Sequence, residues 1–207
     1  MDASAFPAVL TGSPIRRELF TGHAEASIHY CGFPDHKKPV LLIVGGSSGS
    51  KVINEAVRKV LPELLEQFYV IHLCGKGNLD EQLKGVLGYA QFEYASAELT
   101  DMFALADMAI SRAGANSICE LLALHKPNIL IPLSAAASRG DQILNAKSFA
   151  KQGFSYVLEE EQLTDKTLLS AVKEVYENRE KYKKAMSESG QMDSIGTIVN
   201  LIEEQAR

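Results

Sequence analysis

The sequence lacks any segment that is long and apolar enough to cross a membrane as a helix. Its longest apolar stretches, at residues 40–44 and 128–133, have the length of strands, whereas a membrane-spanning helix needs about 20 apolar residues. Residues 1–10 also lack the basic region and long apolar run of a secretory signal. A small apolar or basic patch would still be enough for peripheral contact with a membrane.

Cysteine is sparse, and basic residues are not in excess. The three cysteines form no CxxC pair and each lies in or beside an apolar run, so we expect buried free thiols and a reducing cytoplasm. The chain has 21 Lys and Arg against 26 Asp and Glu, a net charge of −5. Because a phosphate-tracking surface usually carries a basic excess, this balance argues against nucleic acid as the main partner.

The chain also lacks a Walker loop, a GxGxxG fingerprint and a cluster of metal ligands. In the glycine-rich stretch after Val44, Ser50 stands where a Walker loop has its last glycine, and Lys51 is followed by Val52. The sequence shows no pair of carboxylates and no histidine arrangement that would suggest a catalytic acid and base. We therefore expect no metal and no cofactor, and the catalytic residues stay unknown.

What the sequence does contain is a regular alternation of short apolar runs with segments of helical periodicity. The predicted strands are residues 40–44, 68–74, 90–94, 107–111, 128–132 and 154–158. The predicted helices are residues 50–67, 79–86, 99–106, 117–124, 142–152 and, from an N-cap at Thr164, about 165–177, with more helix to the C-terminus. This alternation predicts an α/β fold, a Rossmann-like parallel sheet with helices on both faces.

The 207 residues are predicted to form a single domain. Residues 1–38 form a lead-in, 39–158 the α/β core and 159–207 a helical tail. Parallel sheets of this kind bind ligands at the carboxyl ends of their strands, so we expect the functional residues there.

The first candidate site is the glycine-rich turn 45–50, between a predicted strand and a predicted helix. Glycine lets the backbone turn sharply and approach a ligand, and the N-terminus of the following helix favours an anion. Gly46, Ser47 and Ser48 are therefore candidate phosphate ligands. The alternative is a plain tight turn.

The second candidate is the small-residue turn 111–120, again between a strand and a helix. Ala115, Asn116 and Ser117 offer backbone N–H groups at a helix N-terminus, which makes a second anion site. Glu120 is placed to accept hydrogen bonds from both hydroxyls of a ribose. The alternative for Glu120 is a capping-box partner of Asn116 or Ser117.

The third candidate lies at the start of the predicted helix 142–152. Asp141, Gln142 and Asn145 follow a polar loop and can hydrogen-bond the hydroxyls of a sugar. The alternative is that Asp141 is an N-cap on a solvated polar face.

The fourth candidate is Arg16, two residues after the turn-forming Pro14. A guanidinium fork suits a diphosphate. The alternative is an ordinary surface charge.

Taken in order, these segments resemble a known family. The stretches TGSPIR, VGGSSGS, ADMAISRAGANSICELLALHKP with LIP after it, and GDQILNA resemble the C-terminal half of the MurG family of peptidoglycan transferases, which belongs to glycosyltransferase family 28 and has the GT-B fold. The resemblance implies a hexosyltransferase at the inner, cytoplasmic face of the bacterial cell membrane. Its members transfer GlcNAc from UDP-N-acetylglucosamine to the lipid-linked acceptor undecaprenyl-pyrophosphoryl-MurNAc-pentapeptide (lipid I), which makes lipid II for the cell wall.

The resemblance also implies roles for the candidate residues. Arg16 and Ser47 would contact the donor diphosphate, Glu120 the ribose, and a loop with Ala95, Ser96 and Leu99 the uracil. The other implied contacts are Ala115, Asn116 and Ser117 beside the phosphates and nucleoside, and Asp141, Gln142 and Asn145 near the GlcNAc. Two positions depart from the family: Asp141 replaces a frequent His or Gln, and His125 replaces a frequent helix-ending Gly, which predicts a left-handed cap there.

One part of the family pattern is missing. The family has an N-terminal domain whose GGTGGH-type loop binds the lipid acceptor, and nothing in this sequence resembles it. We therefore expect the chain to hold the donor and to be inactive as a transferase by itself. Two alternatives stay open: a donor-binding subunit of a two-chain glycosyltransferase, or a related UDP-sugar enzyme such as a UDP-GlcNAc 2-epimerase or a lipid glucosyltransferase.

Overall fold

A parallel sheet forms the centre of the computed structural model, which describes residues 9, 11–46, 48–135, 140–190 and 194–205. Within these ranges the strands are β1 (Val40–Val44), β2 (Tyr69–Leu73), β3 (Tyr89–Phe92), β4 (Met108–Ser111), β5 (Asn128–Leu130) and β6 (Tyr156–Val157). Their order is β3-β2-β1-β4-β5-β6, and every neighbouring pair is parallel. The predicted α/β fold with a parallel sheet is confirmed.

Helices cover both faces of this sheet. They are α1 (Ala24–Cys31), α2 (Lys51–Lys59), α3 (Leu61–Gln67), α4 (Glu98–Leu105), α5 (Ala115–Ala123), α6 (Asp141–Lys151), α7 (Asp165–Glu177), α8 (Arg179–Ser187) and α9 (Ser194–Gln205). Leu42 of β1 packs in the core on the side of α1, α4 and α5, whereas Leu41 and Ile43 pack in the core on the side of α2, α3 and α7. Successive strand residues point to opposite faces, so a strand covered on both faces is apolar throughout.

The central position of β1 follows from this packing. Leu41, Leu42 and Ile43 are completely buried, and burying one such side chain contributes about 1.5–3 kcal/mol relative to leaving it exposed. β1 pairs with β2 on one side and β4 on the other, so the loop that follows Val44 is held over the middle of the sheet.

Two predicted helices differ from the structure. Residues 50–67 form two helices, because α2 ends at Lys59 and α3 begins at Leu61 with Pro62 in its first turn, and proline has no N–H to continue the hydrogen-bond ladder. The helix predicted at 79–86 is wrong: only a 3-10 turn, Glu81–Leu83, forms there. Gly85 follows with a positive φ of 78°, which an α-helix does not accommodate.

Two predicted caps are confirmed. Thr164 is the N-cap of α7, where its hydroxyl accepts from the Thr167 N–H and the Thr167 side chain accepts from the Thr164 N–H. His125 has φ of +49° after the end of α5. The lead-in also contains helix α1, which was not predicted from the sequence and which packs against α4.

The three cysteines are free thiols, as predicted, although only Cys74 is fully buried. Burial raises the pKa of Cys31 to about 11. In the described part of the chain, no helix combines the length and the apolar character needed to span a bilayer.

His72 of β2 lies in a buried polar network between α2, β2 and β3. Its Nε2 is 2.9 Å from Asn54 Oδ1 and its Nδ1 is 3.0 Å from the Tyr89 hydroxyl. Since the Asn54 amide nitrogen donates to the Cys74 carbonyl, Asn54 Oδ1 is an acceptor, and His72 carries its proton on Nε2. Burial, together with the nearby positive charge of Arg58, lowers the pKa of His72 to about 3.

This network predicts a loss of stability in acid. The unfolded chain takes up a proton at His72 near pH 6.5 while the folded chain resists it, so the stabilisation is complete above that pH and is lost as the pH falls towards 3. The slope from this one group is about 1.4 kcal/mol per pH unit. Urea unfolding between pH 7 and pH 4 should show a shallower pH dependence for His72→Gln than for the wild type.

The matched control is His29→Gln, at an exposed histidine of α1. Carboxylates contribute to the slope in all three proteins alike, so the difference between the two variants isolates His72. Equal slopes for His72→Gln and the wild type would contradict the assignment.

Candidate functional site

A cleft of about 190 Å³ opens at the carboxyl edge of the sheet, beside the ends of β1 and β4. From β1 the strand order runs one way to β2 and β3, and from β4 it runs the other way to β5 and β6. Sheets of this strand order bind ligands in the crevice at this reversal. The cleft has an apolar floor of Leu73, Leu99, Phe103, Ala109 and Leu121 and a rim that includes Gly46, Glu93, Ser111, Ser117 and Glu120.

The glycine-rich turn forms one wall of the cleft. Gly46, with φ of +90°, lines the cleft, and its carbonyl accepts from the Gly49 N–H at 3.0 Å. Ser50 is the N-cap of α2 and accepts from the Ile53 N–H. The unpaired amides and the positive dipole end of α2 therefore face the turn. Ser48 is exposed, and Ser47 lies outside the described residues.

The turn packs backbone to backbone against the end of β2. A Cβ on Gly49 would lie 2.0 Å from the Cys74 carbonyl oxygen, and a Cβ on Gly75 would lie 2.4 Å from the Ser48 carbonyl oxygen. No side chain fits between the two segments, so glycine at both positions fixes how the turn sits on the sheet.

The N-terminus of α5 forms the opposite wall. The helix begins at Ala115 with Gly114 as its N-cap, so the amides of Ala115, Asn116 and Ser117 are those that lack a partner within the helix. Ser117 lines the cleft, whereas Ala115 and Asn116 are exposed. The three residues predicted to offer backbone N–H groups therefore stand at the start of this helix.

Glu120 lies in the second turn of α5, because the helix begins at Ala115 and not at residue 117 as predicted. The described part of this helix has no side-chain cap, so the alternative that Glu120 is a capping-box partner is wrong. Its carboxylate lines the cleft and accepts a hydrogen bond from Arg16 at 3.1 Å.

This ion pair attaches the lead-in to α5. The Arg16 side chain is 58% exposed and that of Glu120 19%, and an ion pair so accessible to water contributes about 0–1 kcal/mol. The loop is also held by Ser13, whose hydroxyl lies 3.2 Å from Cys119 Sγ and whose carbonyl accepts from the Ser194 hydroxyl. Arg16 can therefore change partner at little cost while its loop stays in place.

The residues predicted at the start of α6 lie beside the cleft and do not line it. Gly140 is the N-cap and Asp141 the first helical residue, so the alternative N-cap role of Asp141 is wrong. Gln142 accepts from the Leu133 N–H at 3.1 Å, and the Asn145 amide donates to the Ala113 carbonyl at 3.1 Å. The last two side chains connect the loops after β4 and β5.

The loop after β3 forms the far wall. Ala95 and Leu99 line the cleft, while Ser96 is exposed and its N–H donates to Glu98. Sequence reasoning missed Glu93, which lines the cleft and accepts from the Gly77 N–H at 2.6 Å. The predicted strand 90–94 included Glu93, whereas β3 ends at Phe92, and this error in the strand end hid the residue.

Arg112 was also missed, although it stands in the quoted turn after β4. It is 7% exposed and donates to the hydroxyl of Ser50 at 2.7 Å. A charged residue between a buried strand and a small-residue turn was the signal. Among the described residues, no three His, Cys, Asp or Glu side chains are grouped as metal ligands.

The sheet order and the helices on both faces define a doubly wound α/β domain, with its candidate site where the strand order reverses. Comparison with known families is more specific. The profile of the glycosyltransferase family 28 C-terminal domain matches residues 40–201. The chain belongs to this family.

Curated relatives are similar over nearly the whole chain. A UDP-N-acetylglucosamine--N-acetylmuramyl-(pentapeptide) pyrophosphoryl-undecaprenol N-acetylglucosamine transferase of Lachnoclostridium phytofermentans is 60% identical over 95% of this chain and 55% of its own length. The enzyme of the same name from Lachnospira eligens is 56% identical over 97% of this chain and 56% of its own length. The chain thus spans about half the length of these relatives.

Solved structures show the same fold. The MurG of Acinetobacter baumannii superposes with a TM-score of 0.72 at 22% identity, over 97% of this chain and 58% of that one. The calicheamicin glycosyltransferase CalG4 superposes with a TM-score of 0.64 at 18% identity, over 83% of this chain and 43% of that one.

The packing of the glycine-rich turn predicts a difference between two glycine substitutions. Gly49 and Gly77 have nearly equal φ values, 75° and 73°, but a Cβ on Gly77 meets nothing within 4 Å. Gly77→Ala should lower the free energy of unfolding by about 1 kcal/mol through backbone strain alone. Gly49→Ala should lower it by about 3 kcal/mol or more, because the turn must also move off β2.

Chemical denaturation of both variants measures this difference, and Gly77→Ala is the matched control for backbone strain. Equal losses for the two variants would show that the turn does not depend on its contact with Cys74.

Proposed function

We propose that this chain holds the donor nucleotide of an N-acetylglucosaminyltransferase whose donor is UDP-N-acetylglucosamine. The observation that carries the proposal is the convergence of two helix N-termini and the Glu120 carboxylate on one cleft where the strand order reverses. Helix N-termini bind phosphate groups, and a carboxylate accepts hydrogen bonds from the hydroxyls of a ribose. The names of the curated relatives support GlcNAc as the transferred sugar.

The cleft suggests how the parts of UDP are distributed. The uracil lies on the apolar floor beside Ala95, with Ser96 at its edge, and the ribose hydroxyls bond Glu120. The diphosphate lies between the N-termini of α2 and α5, in reach of Gly46 and Ser48 on one side and Ala115, Asn116 and Ser117 on the other. The GlcNAc then extends towards Asp141, Gln142 and Asn145.

Arg16 and Glu120 change partners when the donor binds. In the structure they bond each other, and in the complex Glu120 accepts from the ribose while the Arg16 guanidinium turns to the diphosphate. Both exchanges replace one charged hydrogen bond with another, so the ion pair is given up at little cost when the donor arrives.

The transfer requires that an acceptor hydroxyl attack the anomeric carbon of GlcNAc while the bond from that carbon to the diphosphate oxygen breaks. Negative charge then grows on the diphosphate, where the two helix N-termini and Arg16 stabilise it without reorganisation. The proton of the acceptor hydroxyl passes to a base on the acceptor side of the cleft, and we assign no catalytic residue to this chain.

The names of the relatives support a proposal for the acceptor, and a membrane-lipid acceptor in turn supports a location at the membrane. Those names specify a lipid-linked pyrophosphoryl-undecaprenol acceptor, so we propose the same acceptor, lipid I, held by a separate acceptor domain. The enzyme then works as a peripheral protein at the inner face of the bacterial membrane and makes lipid II. The net charge of −5 gives no support to a nucleic-acid partner.

The proposal predicts that UDP stabilises the folded chain. At one hundred times its dissociation constant, a ligand selective for the folded state adds about 2.7 kcal/mol to the free energy of unfolding. Thermal melts with UDP should therefore show a higher Tm, and uridine should give a smaller shift because it lacks the diphosphate. No shift with millimolar UDP would contradict a nucleotide site.

A second prediction concerns the ribose. Glu120→Ala should weaken UDP binding by roughly 1.5–3 kcal/mol, as expected for a charged hydrogen-bond acceptor, and should weaken binding of 2′-deoxy-UDP much less. Calorimetric titration of both proteins with both ligands gives the coupling between the carboxylate and the 2′-hydroxyl.

The control for this cycle is Arg16→Met, which removes the partner that Glu120 has in the structure. It should weaken UDP and 2′-deoxy-UDP by similar factors, because its contact is with the diphosphate. An unchanged preference for UDP over its deoxy form in Glu120→Ala would show that the carboxylate does not bind the ribose.

A further inference from the structure

We propose that Arg112 is a positioning residue for the donor diphosphate: it fixes the glycine-rich turn and the first turn of α2 through Ser50, and Glu160 in turn fixes Arg112. This inference rests on the proposed function, because it explains why the glycine-rich turn is already positioned to bind a phosphate. Arg112 itself faces protein groups and makes no contact with the nucleotide.

The guanidinium has acceptors on three sides. One terminal nitrogen donates to Ser50 Oγ at 2.7 Å. The other donates to the carbonyls of Ile131 at 3.1 Å and Pro132 at 3.3 Å and forms an ion pair with Glu160. The side chains of Arg112 and Glu160 are only 8% and 16% exposed. We call these five residues the Arg112 cluster.

The cluster joins four strand ends at the carboxyl edge. Arg112 directly follows β4, Ser50 ends the turn that follows β1, Ile131 directly follows β5, and Glu160 follows β6. The planar guanidinium fork has a fixed geometry, so these four segments are held at set positions relative to one another. Two of them carry the helix N-termini that border the cleft.

Ser50 is the link to the nucleotide site. Its hydroxyl accepts from both Arg112 and the Ile53 N–H, so the bond to Arg112 orients the cap of α2. The turn before it has little freedom, because a Cβ on Gly45 would lie 2.6 Å from the Ser50 nitrogen. The turn is therefore held by the end of β2 through Gly49 and by Arg112 through Ser50.

The charge of Arg112 does not explain this arrangement by itself. Glu160 neutralises it at contact distance, which leaves little net field at the diphosphate. A buried ion pair also adds little net stability compared with apolar side chains of similar volume. The hydrogen bonds of the Arg112 cluster are directional, so they fix the positions of the segments that they join.

The two explanations predict opposite effects when Glu160 is removed. If Arg112 acted through its charge, Glu160→Ala would unmask a cation near the cleft and tighten UDP binding. If Arg112 positions the turn, the same change releases the guanidinium from its charged anchor, and UDP binding weakens. Glu161→Ala, at the exposed neighbour on the same 3-10 turn, removes an equal charge without touching Arg112 and is the matched control.

The experiment is a calorimetric titration of each folded variant with UDP and with uridine. Glu160→Ala should lower the affinity for UDP about tenfold, because the guanidinium loses its ion-pair partner, and should leave the affinity for uridine within about twofold. Glu160→Gln keeps an acceptor for the guanidinium and should recover most of the UDP affinity. Tighter UDP binding by Glu160→Ala, or equal losses for UDP and uridine, would overturn the inference.

A second variant covers the case in which Glu160→Ala does not fold. Ser50→Gly removes the hydroxyl that Arg112 holds, while glycine is a good N-cap and preserves the start of α2. It should show the same selective loss of UDP over uridine, and an unchanged ratio would overturn the inference. If the wild type itself does not prefer UDP to uridine, the proposed function fails instead, so the two failures are distinguishable.

Discussion

Parallel pairing of β1 with β4 brings the ends of these two strands, and the helices that follow them, to one edge of the sheet. Each strand is followed by a tight turn and a helix N-terminus, so two positive dipole ends border one cleft. Every other feature of the site depends on this pairing. The apolar floor comes from neighbouring strands and from α4 and α5, and Glu120 reaches the cleft because α5 starts beside β4.

Two kinds of contact keep the glycine-rich turn in place, and they differ in character. Towards β2 the turn is held by close approach of backbone to backbone, which excludes any side chain at Gly49 and Gly75. Towards β4 it is held by a directional hydrogen bond from Arg112 to Ser50. Close packing sets how near the turn lies to the sheet, while this hydrogen bond sets its orientation. Both contacts suit the proposed role of the site, which is to hold charged oxygens without rearranging.

Arg16 of the lead-in and Arg112 differ in exposure and in the partners that they bond. Arg16 is largely exposed and paired with a carboxylate that the nucleotide itself is proposed to use, so its bond is easily exchanged. Arg112 is buried, has several acceptors and pairs with a glutamate outside the cleft. Arg16 is therefore suited to bind the proposed ligand, whereas Arg112 is suited to hold the surrounding segments in fixed positions.

The sequence by itself determined the parallel sheet, most helices, the Thr164 cap and the turns that meet at the cleft, because apolar periodicity and turn residues are local signals. Apolar periodicity alone missed the break of residues 50–67 at Val60 and the absence of a helix at 79–86, where the local signals of Pro62 and Gly85 decide the outcome. The pairing of Glu120 with Arg16 could not be predicted, because it joins groups far apart in the chain. In the sequence Arg112 is one charge in a small-residue turn. Only the tertiary structure, which brings four strand ends around it, decided that it is buried and bonded to Ser50, Ile131 and Pro132.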